Sequence, residues 1–183
     1  IGRCPQCGAW NSYEQEVIHR SGSGQLKNLS TPKAVTMLMS NIECSNEQRI
    51  DLKDDELNRV LGGGLVLGSL VLIGGEPGIG KSTLLLQVAL NCKDKRVLYV
   101  SGEESASQIK MRAERINKGG GNCYVLTETC VENIIERATE VQPQIIIIDS
   151  IQTMTTSDID SSAGSISQIR ESAARLGTYA KQS

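Results

Sequence analysis

Phenylalanine is missing altogether from this 183-residue chain, and aromatic residues make up only 3% of it. Its core must therefore be filled by Ile, Leu, Val and Ala, the residues of buried parallel strands. An excess of either charge is missing too. Nineteen Lys and Arg stand against 21 Asp and Glu, for a net charge of −2 and a pI of about 5.5. No global basic field is available to attract nucleic acid, so any such contact must be local. No run approaches the roughly 18 apolar residues that cross a bilayer. The N-terminus reads Ile1-Gly2-Arg3-Cys4, not a charged start followed by an apolar segment. These absences lead us to expect a soluble, cytoplasmic protein without membrane contact. The chain opens without Met, so further residues are expected before Ile1.

Against that background one stretch stands out. Gly75-Glu76-Pro77-Gly78-Ile79-Gly80-Lys81-Ser82 fits the G-x-x-x-x-G-K-[ST] phosphate-binding loop. Leu70, Val71, Leu72 and Ile73 before it read as a buried strand, and Thr83 to Asn91 after it as a helix with an apolar face. Glycines let the backbone turn tightly and bring several N–H groups onto one phosphate, and the following helix directs its positive end there. Lys81 can then reach the β- and γ-phosphates, and the Ser82 hydroxyl can coordinate Mg²⁺. Loop residues 75–82 with Thr83 are the expected ATP contacts. No Asn-Lys-x-Asp motif for reading guanine is present, since Asn117-Lys118-Gly119-Gly120 lacks the acid, which argues against a GTPase.

Of six cysteines, only Cys4 and Cys7 stand at metal-ligand spacing, in Cys4-Pro5-Gln6-Cys7-Gly8. Such a knuckle is half of a zinc site, because the turn lets two thiolates face one ion, and zinc takes four ligands. A second C-x-x-C upstream of Ile1 is the expected complement. A redox role is the competing reading, weak without a thioredoxin-like strand and helix around the pair. Cys44, Cys92, Cys123 and Cys130 are scattered and read as small buried hydrophobes.

Along the chain, residues 1–13 form the partial zinc finger, 14–46 a polar linker and 47–183 an ATPase domain. Asp51 to Leu61 reads as a helix stopped by Gly62-Gly63-Gly64. Val97 to Val100 reads as a strand, Ser105 to Asn117 as a helix, Cys123 to Leu126 as a strand and Val131 to Val141 as a helix. Ile145-Ile146-Ile147-Ile148-Asp149 is a further strand and Ser161 to Lys181 a helix. Aliphatic strands separated by helices predict an α/β fold, a parallel sheet with helices on both faces.

The four isoleucines ending in Asp149 have the form of a Walker B strand, which delivers a carboxylate beside the phosphate loop to hold Mg²⁺ through water. Ser150 either joins the same water shell or is a plain turn residue. Glu103-Glu104 stands at the end of the strand that follows the loop's helix. A carboxylate there can polarise the water attacking the γ-phosphate. Glu103 is the favoured base, with Glu104 sharing the role or forming a surface ion pair.

These positions together resemble the bacterial RadA (Sms) family of DNA repair ATPases, within the larger RecA-like family. The resemblance is carried by residues 1–11, by Leu57-Asn58-Arg59-Val60-Leu61-Gly62-Gly63-Gly64, and by the loop with Leu84-Leu85-Leu86-Gln87. Leu98 to Ser105, Ile109 to Arg115 and Ile148-Asp149-Ser150-Ile151-Gln152-Thr153 extend it. It implies a RecA-like core and a DNA-stimulated ATPase that assembles as a hexameric ring. It also implies binding to single-stranded DNA, branch migration of recombination intermediates and a recombinase partner. Further strands and a Lon-protease-like domain are expected after Ser183, as is the other half of the zinc finger before Ile1. For DNA contact, Lys110, Arg112 and Arg115 share a predicted helix but with Glu114 among them read as a solvated face. Ser161 to Gln168 follows the Walker B strand where RecA-like proteins carry a DNA-binding loop, although composition alone would make it a linker. Two other functions compete: a replicative-helicase-like or clock-type ATPase, and a nucleotide-dependent assembly scaffold in which hydrolysis is incidental.

Overall fold

Strands form at three of the aliphatic runs, and their register brings three chain segments to a common edge. The computed structural model describes residues 36, 38–41, 48–116 and 121–183. The chain divides into two units, Ile1–Glu43 and Cys44–Ser183. The described part of the first includes a 3-10 turn at Met39–Asn41. Cys4 and Cys7, with most of the predicted linker, fall outside the described residues.

The second unit is built on a parallel sheet of β3 (Val97–Ser101), β4 (Cys123–Thr127) and β5 (Ile145–Asp149), in the order β4-β3-β5. Ser101 pairs with Thr127 on one side and with Asp149 on the other, so all three carboxyl ends finish flush. Alternation along β3 assigns its two faces. Val97 and Tyr99 join one core with Leu86, Val88, Ala89 and Leu90 of α2 (Lys81–Asn91) and Ile109 of α3 (Ala106–Ile116). Leu98 and Val100 join the other with Val131, Ile134 and Ala138 of α4 (Val131–Val141) and Leu176 of α5 (Ile166–Gln182). Each buried aliphatic side chain contributes about 1.5–3 kcal/mol, so two such layers support the sheet without any Phe. The predicted α/β fold with helices on both faces of a parallel sheet is what the second unit shows.

Ahead of the sheet, α1 (Asp55–Val60) is capped by Asp54, whose carboxylate accepts from the Leu57 N–H at 2.9 Å. The helix therefore starts later than the predicted Asp51. A short antiparallel pair, β1 (Arg49–Ile50) with β2 (Leu65–Val66), brackets α1. The C-terminal helix likewise begins at Ile166, five residues after the expected Ser161, because Ser165 caps it by accepting from the Gln168 N–H.

One expectation is corrected. Leu70 to Ile73 does not form a buried strand: it has no strand partner among the described residues, and Leu70, Val71 and Leu72 are 60%, 43% and 82% exposed. An apolar run has strand character only when a neighbour accepts its backbone hydrogen bonds. The segment still delivers the chain to the phosphate loop.

Candidate nucleotide-binding and catalytic site

The loop 75–80 turns into α2 through two glycines with positive φ, Gly78 at 79° and Gly80 at 102°, the latter serving as N-cap. A Cβ built on either meets nothing within 4 Å, so the turn faces open space. That combination of left-handed backbone, free space and a helix N-terminus is an anion cradle. Lys81 Nζ donates to the Gly75 and Glu76 carbonyls at 2.8 and 2.9 Å, which holds its ammonium over the loop. Ile79 is 70% exposed at the rim, and Thr83 lies exposed in the first turn of α2. Pro77 shares the turn between Glu76 and Gly78.

The residue after Lys81 makes the link to the sheet. Ser82 Oγ donates to Asp149 Oδ1 at 2.9 Å across 67 residues of sequence. The predicted metal ligands thus stand together, a hydroxyl and a carboxylate, the hard oxygen donors that Mg²⁺ prefers. With the open cradle beside them, the residues present fit a Mg²⁺-bound nucleotide. Among the described residues no cluster of three or more His, Cys, Asp or Glu suits another metal. The three described cysteines are free thiols: Cys92 is buried at the end of α2, while Cys123 and Cys130 are half-buried.

Glu103 and Glu104 follow β3, and both their backbone N–H groups donate to Ser101 Oγ, at 3.4 and 3.1 Å. Their side chains then diverge. Glu103 Oε1 accepts from Ser150 Oγ at 3.3 Å, which ties it to the residue beside Asp149. Glu104 instead pairs with Arg112 Nη2 at 2.8 Å. Ser82, Asp149 and, through Ser150, Glu103 therefore meet at the carboxyl edge of the sheet, with Lys81 next to Ser82 and bonded to the loop, whereas Glu104 turns toward α3. Arg112 is not on a solvated face, since its side chain is only 21% exposed. Lys110 does lie outward and pairs with Glu114 at 3.5 Å.

Sequence reasoning missed Tyr99. Its hydroxyl donates to Asp149 Oδ2 at 2.5 Å and accepts from Arg112 Nη2 at 3.0 Å. Burial first, then the bond to Asp149, pushes the Tyr99 phenol well above its ordinary value, so it keeps its proton and remains a donor. The available signal was a polar aromatic inside Val97-Leu98-Tyr99-Val100.

A parallel sheet with a glycine-rich turn feeding a helix, and a carboxylate from a neighbouring strand under that turn, defines a P-loop nucleotide-binding core. Comparison with known proteins agrees: a family model described as an AAA domain matches residues 40–181. The chain is 46% identical over 183 residues to the DNA repair protein RadA of Listeria monocytogenes, covering 99% of this chain and 40% of that protein. It is 46% identical over 190 residues to RadA of Bacillus subtilis, covering 99% and 41% respectively. With RadA of Campylobacter jejuni the identity is 48% over 174 residues, covering 93% and 39%. The chain belongs to the AAA-domain family and, within it, to the RadA family. It spans about two-fifths of the length of the curated relatives it matches.

Proposed function

We propose that this chain is the ATP-hydrolysing core of a DNA repair protein. The observation that carries the reading is the 2.9 Å bond between Ser82 and Asp149, with Lys81 beside it and Glu103 joined to Ser150 at 3.3 Å. In this reading the backbone N–H groups of 75–82 and the positive end of α2 bind the β- and γ-phosphates. Lys81 leaves its two loop carbonyls for the phosphates, and Ser82 with Asp149 would hold Mg²⁺. When bound, the metal neutralises charge that builds on the phosphate oxygens. Glu103 positions a water in line with the γ-phosphate and takes its proton as the water oxygen bonds to phosphorus and the bridging oxygen departs with ADP.

The same reading extends to the whole protein. Hydrolysis is stimulated by single-stranded DNA, and a cytoplasmic hexameric ring drives branch migration of recombination intermediates together with a recombinase. Cys4 and Cys7 supply half of a zinc finger. The relatives' being DNA repair proteins supports this assignment, as does the identity along almost the whole chain. Lys81→Ala tests the core of it. Turnover of ATP should fall on the order of a hundredfold or more, measured by phosphate release, with binding of a fluorescent ATP analogue lost in parallel. Wild-type protein that releases no phosphate with or without DNA defeats the assignment.

A further inference from the structure

Tyr99 is fully buried in β3 among aliphatic side chains. A phenylalanine would fill that space without a hydroxyl to satisfy, and burying a hydroxyl is costly unless it is bonded. Here the hydroxyl has a partner on each side. It donates to Asp149 Oδ2 at 2.5 Å and accepts from Arg112 Nη2 at 3.0 Å. Arg112 is itself held by Glu104 at 2.8 Å and stands 3.7 Å from the same Asp149 oxygen. The sheet register explains why a tyrosine is needed. Asp149 pairs with Ser101, two residues beyond Tyr99 on the same face, about 6.6 Å along the strand. A para-hydroxyl on an aromatic ring spans that gap.

The consequence falls on Asp149. A carboxylate turns about a broad, roughly two-fold terminal torsion, so a strand alone does not fix where its oxygens point. Anchoring Oδ2 from behind leaves Oδ1 directed at Ser82 Oγ, 2.9 Å away in front of the loop. We propose that Tyr99, backed by Arg112, is a positioning residue that sets the orientation of the Asp149 carboxylate toward the divalent cation of the nucleotide. This rests on the nucleotide-binding reading above and adds a second layer to it. α3 thereby takes part in metal binding through Arg112 without supplying a metal ligand.

The test is a Mg²⁺ titration of fluorescent ATP-analogue binding to the full chain, wild type against Tyr99→Phe, alongside the same nucleotide measured in EDTA. Outer partners of metal ligands tune metal affinity, so the Mg²⁺ midpoint of Tyr99→Phe should rise on the order of tenfold. Binding in EDTA should stay at the wild-type level, a separation that a purely structural role would not produce. Arg112→Gln, read in the same titration, should shift the midpoint in the same direction by a smaller factor. It also provides the reading if Tyr99→Phe melts before assay temperature. Unchanged Mg²⁺ midpoints in the folded variants overturn the proposal while leaving nucleotide binding intact. Wild-type protein that binds no nucleotide overturns this inference together with the function it rests on.

Discussion

At Gly102 the lack of a side chain lets the end of β3 meet the turn that follows β5. A Cβ there would lie 2.2 Å from Thr153 Oγ1, 2.8 Å from Thr153 Cβ and 3.0 Å from Thr129 Cγ2. Thr153 cannot easily retreat, because its hydroxyl donates to the Ser150 carbonyl at 2.8 Å. Gly102→Ala must therefore displace either that turn or the backbone that carries Glu103. Overpacking of this kind costs about 1–3 kcal/mol, and a urea midpoint lowered to match, with turnover reduced as Glu103 is moved from Ser150, is the expected result. A midpoint equal to wild type would mean the turn yields freely. Single residues divide sharply in how legible they are. Lys81, Ser82 and Asp149 are announced by their spacing, since a phosphate loop demands a metal partner at a strand end. Tyr99 is not, because its role comes from a hydroxyl placed by register against a strand that follows it by almost 50 residues. Arg112 misled for a related reason: helical spacing groups it with Lys110 and Arg115, yet its long side chain folds inward to Glu104.

Between elements, the polar contacts gather at the junction of α4, α5 and the segment between β5 and α5. Glu132 Oε1 accepts from Thr156 Oγ1 at 2.5 Å and from Arg175 Nη1 at 2.5 Å, while Oε2 accepts from Cys130 Sγ at 3.0 Å. Arg175 also pairs with Asp158 and Glu171. Gln168, buried at the start of α5, donates to the Ile159 and Ser161 carbonyls at 2.9 and 3.0 Å. The serine-rich stretch that composition reads as a linker is thus fastened at both ends. Burial pushes the Glu132 carboxyl up, but hydrogen bonds from Thr156, Cys130 and the backbone outweigh it and hold it at about 2 against an ordinary 4.5. A carboxyl with a lowered native pKa binds protons more readily when unfolded. Its stabilisation is complete above about 4.5 and is lost as pH falls toward about 2. Glu132→Gln should consequently lose less stability than wild type when urea melts at about pH 7 and about pH 3 are compared; equal losses would show that the carboxylate contributes nothing to the junction. Helix α4 was legible to the residue, Val131 to Val141, because its amphipathic period is strong and Pro143 follows closely. The run at 70–73 was misread because hydrophobicity reports burial potential, not whether a partner strand stands alongside. Two-residue strands such as β1 and β2 are too short to carry any period.

Across the whole molecule, what the sequence made legible is the parallel sheet and the convergence at its carboxyl edge; what it left open is how that convergence is put to work. A net charge of −2 gives the chain no long-range pull on DNA, so under the proposed function any contact with nucleic acid has to be local. Whether hydrolysis does work in that function turns on Glu103. It reaches Ser150 at 3.3 Å but makes no bond to the loop that would bind phosphate, so its carboxylate is separable from nucleotide affinity. Glu103→Gln keeps the shape and the hydrogen bond while removing the proposed base. If the protein is a motor, this variant binds ATP as tightly as wild type, its turnover falls by about a hundredfold or more, and branch migration measured on a synthetic four-strand junction is lost. A scaffold that needs only bound nucleotide would keep assembling and acting in the same assay with its hydrolysis gone. The two outcomes separate a machine that spends the γ-phosphate from one that merely senses it, because hydrolysis contributes to work only when the state it leaves behind differs from the state that bound.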